Sequence, residues 1–121
     1  MIGQNSGTIG AVARGDMASA TGAIVRSYNG GVLDNTGTIA AGAYGADATA
    51  TAVSMESGGS NVLTNTGTIV ALGDGERIAV ASGSGATSIA NSGSIIGAIR
   101  VGDLDDSFDN AARWNAVGDS D

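Results

Sequence analysis

The sequence predicts an all-β, single-domain parallel β-solenoid, and three observations predict it. A seven-residue pattern, Leu63, Asn65, Gly67 and Ile69 with Thr64, Thr66 and Thr68 between them, returns along the chain. Within each copy the apolar, amide and glycine positions alternate with hydroxyl or charged ones, which is the period of a strand with one buried face. The anchoring asparagines, Asn5, Asn35, Asn65, Asn91 and Asn110, lie 30, 30, 26 and 19 residues apart. A motif returning at such intervals signals coils that bury their faces only against their neighbours, here about five stacked strand levels.

Taken in order, the domain spans 1–121, with repeats starting at 5, 35, 65, 91 and 110. The first repeat reads NSGTIGAV, a loop holding Arg14, Gly15 and Asp16, a middle strand at Ala23 to Val25, and a turn at Gly30 and Gly31 before Val32 and Leu33. The second repeats the plan with NTGTIAAG, a loop around Tyr44 to Asp47, Ala52 and Val53, and a Gly58–Gly59 turn. Ile24 and Val53 read as equivalent positions. In the third the loop after Leu72 shortens to GDGER, and Ala79 and Val80 supply the middle strand. Loops are where a solenoid absorbs a length change, because the stacked strands keep their register. The fourth starts SGSIIGAIRVG and leads into an acidic final coil and tail over 102–121, which carry six of the twelve acids. The fifth copy keeps the spacing as Phe108, Asn110, Ala112 and Trp114. Leu33, Leu63, Ile89 and Phe108 are expected to form one interior column, and Ile9, Ile39, Ile69, Ile95 and Trp114 another.

Composition sets the scale of the core. Tyr28, Tyr44, Phe108 and Trp114 are the only aromatics, so the interior must be thin and built from small and β-branched groups. The absence of proline leaves every strand free to bond on both edges. A net charge of −7 with five arginines and no lysine argues against nucleic acid as a partner, since phosphate binding needs clustered positive charge. No apolar run approaches the ~18 residues of a membrane-spanning helix.

The LxNxGTI-type repeats, the NTGTI runs at Asn35 and Asn65, and the segment GDLDDSFDNAARW resemble the β-helical passenger regions of Gram-negative autotransporter and haemagglutinin-like surface proteins. The resemblance implies a right-handed parallel β-helix, an extracellular or cell-surface location, and an adhesive or stalk-like role with a host or cell-surface receptor as partner. The chain carries neither a signal peptide nor a translocator barrel, so export is expected of a longer parent chain.

Candidate site residues follow from the columns. Stacked about 4.8 Å apart, the five asparagines are expected to pass side-chain hydrogen bonds along a structural ladder. Thr8, Thr36, Thr38, Thr66 and Thr68, with Ser6, Ser92 and Ser94, are expected to form outward hydroxyl columns, which resemble ice-binding surfaces and supply the alternative function. Asp103, Asp105 and Asp106 partly match a calcium-binding nonapeptide, but calcium takes six to eight oxygens and Leu104 stands where a glycine should. No metal or cofactor is therefore expected. Arg14, Gly15 and Asp16 spell a tripeptide read by integrins. With no His, Cys or Lys, the usual bases and nucleophiles are missing, and no catalytic residue is expected. Neither end offers a recognisable polar cap strand, so end-to-end stacking into a homo-oligomer or filament is expected, favoured by salt that screens the acidic region.

Overall fold

The computed structural model describes residues 2–102 and 106–115, so Met1, Asp103, Leu104, Asp105 and the tail 116–121 lie outside the described residues. The first coil consists of β1 (Ile2–Asn5), β2 (Thr8–Arg14) and β3 (Ser19–Ser27). The second is β4 (Gly30–Asn35), β5 (Thr38–Tyr44) and β6 (Thr49–Ser57), and the third β7 (Ser60–Asn65), β8 (Thr68–Gly73) and β9 (Glu76–Ser84). Next come β10 (Thr87–Asn91), β11 (Ser94–Ile96) and β12 (Ala98–Arg100), followed by β13 (Ser107–Asn110) and β14 (Arg113–Asn115). Among the described residues there is no helix.

Every third strand joins the same sheet, and all pairings are parallel. The sheets run β1-β4-β7-β10-β13, β2-β5-β8-β11-β14 and β3-β6-β9-β12, so two faces carry five levels and the third carries four. The register follows the repeat: Leu33 pairs with Leu63, Leu63 with Ile89 and Ile89 with Phe108. On the second face Ile9, Ile39, Ile69, Ile95 and Trp114 stand in one column. The shortened loop of the third coil is a two-residue corner at 74–75, where the second coil spends four residues at 45–48.

One expected equivalence is off by a residue. Val53 pairs with Ala23 and Val80, whereas Ile24 pairs with Ser54 and faces solvent. A slip of one reverses every side chain of a strand, and the unbroken apolar run Ala23-Ile24-Val25 contains no alternation from which to choose the face. Val25 decides it, being buried and paired with the buried Met55.

The interior divides into two packed clusters. Val25, Leu33, Ile39, Val53, Met55, Leu63, Ile69, Val80, Ile89, Ile95 and Ile99 fill the wide part of the coil. Ala20, Ala41, Ala43, Ala48, Ala50 and Ala71 form the second, where the second and third sheets converge on their shared corner. Alanine fills this cluster in the first two coils, and Arg77 takes the place next to Ala50 in the third. Ala50, fully buried, should therefore resist enlargement: Ala50→Val is expected to cost roughly 1–2 kcal/mol through overpacking. Urea unfolding measures this, and an unchanged midpoint would mean that the neck has room to spare.

Candidate functional site

The five asparagines end strands of the first sheet at the corner into the second, and each points inward. Asn5 Nδ2 donates to Asn35 Oδ1 at 2.9 Å, Asn35 to Asn65 at 2.7 Å, Asn65 to Asn91 at 2.8 Å and Asn91 to Asn110 at 2.8 Å. The same nitrogens also face corner carbonyls: Asn65 Nδ2 lies 3.2 Å from Gly67 O and 3.1 Å from Ser94 O. Those carbonyls fix which end of each amide is the nitrogen, so every rung donates in one direction along the stack. Asn35 and Asn65 are fully buried, and a buried amide is tolerated because its groups are bonded.

The glycines two residues after Asn35, Asn65 and Asn91 let the corners nest. At Gly67 an added Cβ would lie 2.0 Å from Gly37 O, and at Gly93 2.1 Å from Gly67 O. In return, Thr66 N and Gly67 N both donate to Asn35 O, and Thr68 N donates to Gly37 O. The fifth coil has Ala112 in the glycine position. There Ala111 N still donates to Asn91 O and Arg113 N to Gly93 O, but among the described residues the middle bond does not form. The outermost corner can lean away because no described strand lies beyond it.

The hydroxyl columns do not share one flat face. Thr8, Thr38, Thr68 and Ser94 align as the first rung of the second sheet. Thr36 and Thr66, with Ser6 and Ser92, occupy the corner before it, between strands. A corner thus separates the two columns.

The Arg14-Gly15-Asp16 tripeptide belongs to a stacked corner. Gly15 N donates to Tyr44 O at 2.9 Å, Met17 N to Ala46 O at 2.7 Å, and the Arg14 guanidinium lies 5.1 Å from the Tyr44 ring centroid. Met17 and Asp47 take positive φ at equivalent places in successive coils, at 57° and 55°. The arginine is thus held against an aromatic face as a structural contact.

A second buried polar group, missed in the sequence, sits at the third corner. Asn61 Nδ2 reaches Ser57 O and Ser82 Oγ at 3.5 Å, and Ser82 Oγ meets Thr87 Oγ1 at 2.5 Å. Asp106 completes this corner by accepting from Thr87 N at 2.8 Å. The signal was the alternation itself, since Asn61 shares its face with Leu63 and Asn65. Gly31 holds the equivalent place one coil earlier, so no visible column marked it.

Three further carboxylates are also engaged. Asp74 Oδ2 accepts from Gly45 N at 3.1 Å, Glu76 pairs with Arg100, and Glu56 pairs with Arg26 at 3.3 Å. Among the described residues no group of three or more acidic, His or Cys side chains is placed to hold a metal ion. Asp103 and Asp105 of the calcium-like segment lie outside the described residues, and Asp106 is the part of it that the structure places.

No protein-family model, no curated protein and no solved structure matches this chain. Outward from the sheets and corners project Val12, Met17, Ile24, Leu72 and Tyr28, the last 96% exposed. Tyr28 lines a shallow groove of about 320 Å³ with Arg26, Ser27 and Glu56, beside the Arg26–Glu56 ion pair. Val12 and Leu72 stand in one column across the second sheet, with Gly42 between them.

Proposed function

We propose that the chain is a non-enzymatic, structural or adhesive β-solenoid segment of a secreted, cell-surface fibre of the autotransporter-passenger kind, and that it associates end to end. The observation that carries this reading is the asparagine ladder, which runs unbroken through all five levels of the first sheet and is bonded from one rung to the next. Ladders of this kind make the coil a stiff rod whose geometry repeats along its axis, which suits a spacer or display element. Four carboxylates fit the same reading, because Asp74, Asp106, Glu56 and Glu76 each serve a backbone amide or an arginine.

Light scattering over a range of protein and salt concentrations tests the association. Mass is expected to rise with protein concentration, and further with added salt, because the chain carries a net charge of −7 and salt screens the repulsion between copies. A single-chain mass at high protein concentration in both low and high salt would contradict the reading.

A further inference from the structure

Of the asparagines in this chain, Asn29 alone precedes a glycine, and it stands at the corner that joins the first coil to the second. We infer that Asn29 is a site of spontaneous deamidation, in which the backbone nitrogen of Gly30 attacks the Asn29 side-chain amide and the corner becomes acidic with time. Unlike the end-to-end association above, this chemistry draws on one corner of one chain.

Water is the sole co-reactant. The Gly30 nitrogen gives up its proton to solvent base, bonds to Asn29 Cγ and closes a five-membered imide ring. The side-chain nitrogen takes a proton from water and leaves as ammonia. Hydrolysis then adds one water across either C–N bond of the imide. Cleavage of the new bond to Cγ leaves an ordinary aspartate. Cleavage of the original backbone bond leaves an isoaspartate, in which the main chain runs through Cβ and Cγ. Nothing is oxidised or reduced.

Two conditions meet at Asn29. A side chain on the following residue obstructs the attacking nitrogen, and every other asparagine is followed by serine, threonine, valine or alanine. Asn-Gly suits a turn for the same want of bulk, and asparagine is among the residues that heat degrades. The second condition is freedom to fold into the ring. Asn29 is exposed between β3 and β4, and among the described residues no hydrogen bond holds its side-chain amide. Asn35, Asn61 and Asn65 are fully buried, Asn5 and Asn91 nearly so, and the ladder amides are bonded from rung to rung. Buried and bonded groups react only when the surrounding structure opens. Asn110 and Asn115 are exposed, but each precedes alanine. Exposure and glycine coincide at Asn29.

The packing of this corner makes the two products unequal. Gly59 of the second coil stacks on Asn29 so closely that a Cβ there would lie 2.4 Å from Asn29 O and 2.6 Å from Asn29 C. Gly30 holds a φ of 135°, and a Cβ on it would lie 2.6 Å from Ser60 O. Gly58 N donates to Ser27 O at 3.3 Å just before the stack. An isoaspartate inserts a further main-chain carbon between Tyr28 and Gly30, where the two coils have no slack. An ordinary aspartate leaves the main chain as it was and adds a carboxylate beside the exposed Tyr28.

Ageing the folded wild-type chain in mildly alkaline buffer tests this. Peptide mapping by mass spectrometry with electron-transfer fragmentation reads each asparagine and separates aspartate from isoaspartate. Acid is expected first at position 29, as a mixture of both products, with the ladder asparagines unchanged. The rate should rise with pH, because attack needs the deprotonated nitrogen. Asn29→Gln would have to close a six-membered ring, so it should lose the acidic species on ion exchange while keeping the parent's circular dichroism. The separated isoaspartate fraction should melt below the parent, and Asn29→Asp should melt with it. An Asn29 that stays amidated, or that converts no faster than Asn110 and Asn115, would overturn the inference. Aspartate without isoaspartate would also overturn it, since that product does not require the imide. An isoaspartate fraction that melts with the parent would overturn the stacking consequence.

Discussion

Gly67→Val is expected to prevent folding at ambient temperature or to destabilise the chain by about 3–5 kcal/mol, at the upper end for one substitution. The methine carbon would sit 2.0 Å from Gly37 O and 2.7 Å from both Thr36 C and Thr36 O, all of them backbone atoms of the neighbouring coil. Relief would require the corner to move away, breaking the bonds from Thr66 N and Gly67 N to Asn35 O. Gly7 supplies the control. It holds the same place in the first coil and has nothing within 4 Å of an added Cβ, so Gly7→Ala should be nearly neutral. Circular dichroism with urea titration of both variants separates the outcomes, and equal midpoints would show that the corners do not nest as described.

The second large effect is expected at Asn65. Asn65→Leu removes the donor that serves Asn91 Oδ1, Gly67 O and Ser94 O, and leaves Asn35 Nδ2 without its Asn65 acceptor. Leucine is close in size, so the loss is chiefly that of polar partners in a fully buried site. Unsatisfied buried groups cost about 1–3 kcal/mol, and with several affected together the loss should be about 2–3 kcal/mol. Asn110→Leu, exposed at the edge of the column, should cost far less. A thermal melt of the two variants reads this difference directly. Equal and small shifts would mean that the ladder carries little of the stability.

Much of this architecture was legible because the repeat states it several times over. Asn, Gly and the two aliphatic columns recur at fixed spacing, so register, parallel pairing and the inward face all follow from the seven-residue pattern. Other features had no such redundancy. The middle strands carry apolar runs without alternation, which is why Ile24 was aligned with Val53 when Ala23 is its true neighbour. The alanine neck joins residues from two sheets, Ala41 and Ala43 with Ala48 and Ala50, and sequence spacing alone does not reveal that the sheets converge there. The hydroxyl columns looked flat because Thr36 and Thr38 are two apart, yet a corner falls between them. Asn61 carried a readable signal, its parity with Leu63 and Asn65, but with Gly31 at the matching place it formed no column to draw notice.

Small-angle X-ray scattering tests most directly the proposed extension of the solenoid along its own axis. As protein concentration rises, the cross-sectional radius is expected to remain that of a single coil while the longest dimension and the mass increase together. A mass that stays that of one chain, or a cross-section that grows with the mass, would contradict it.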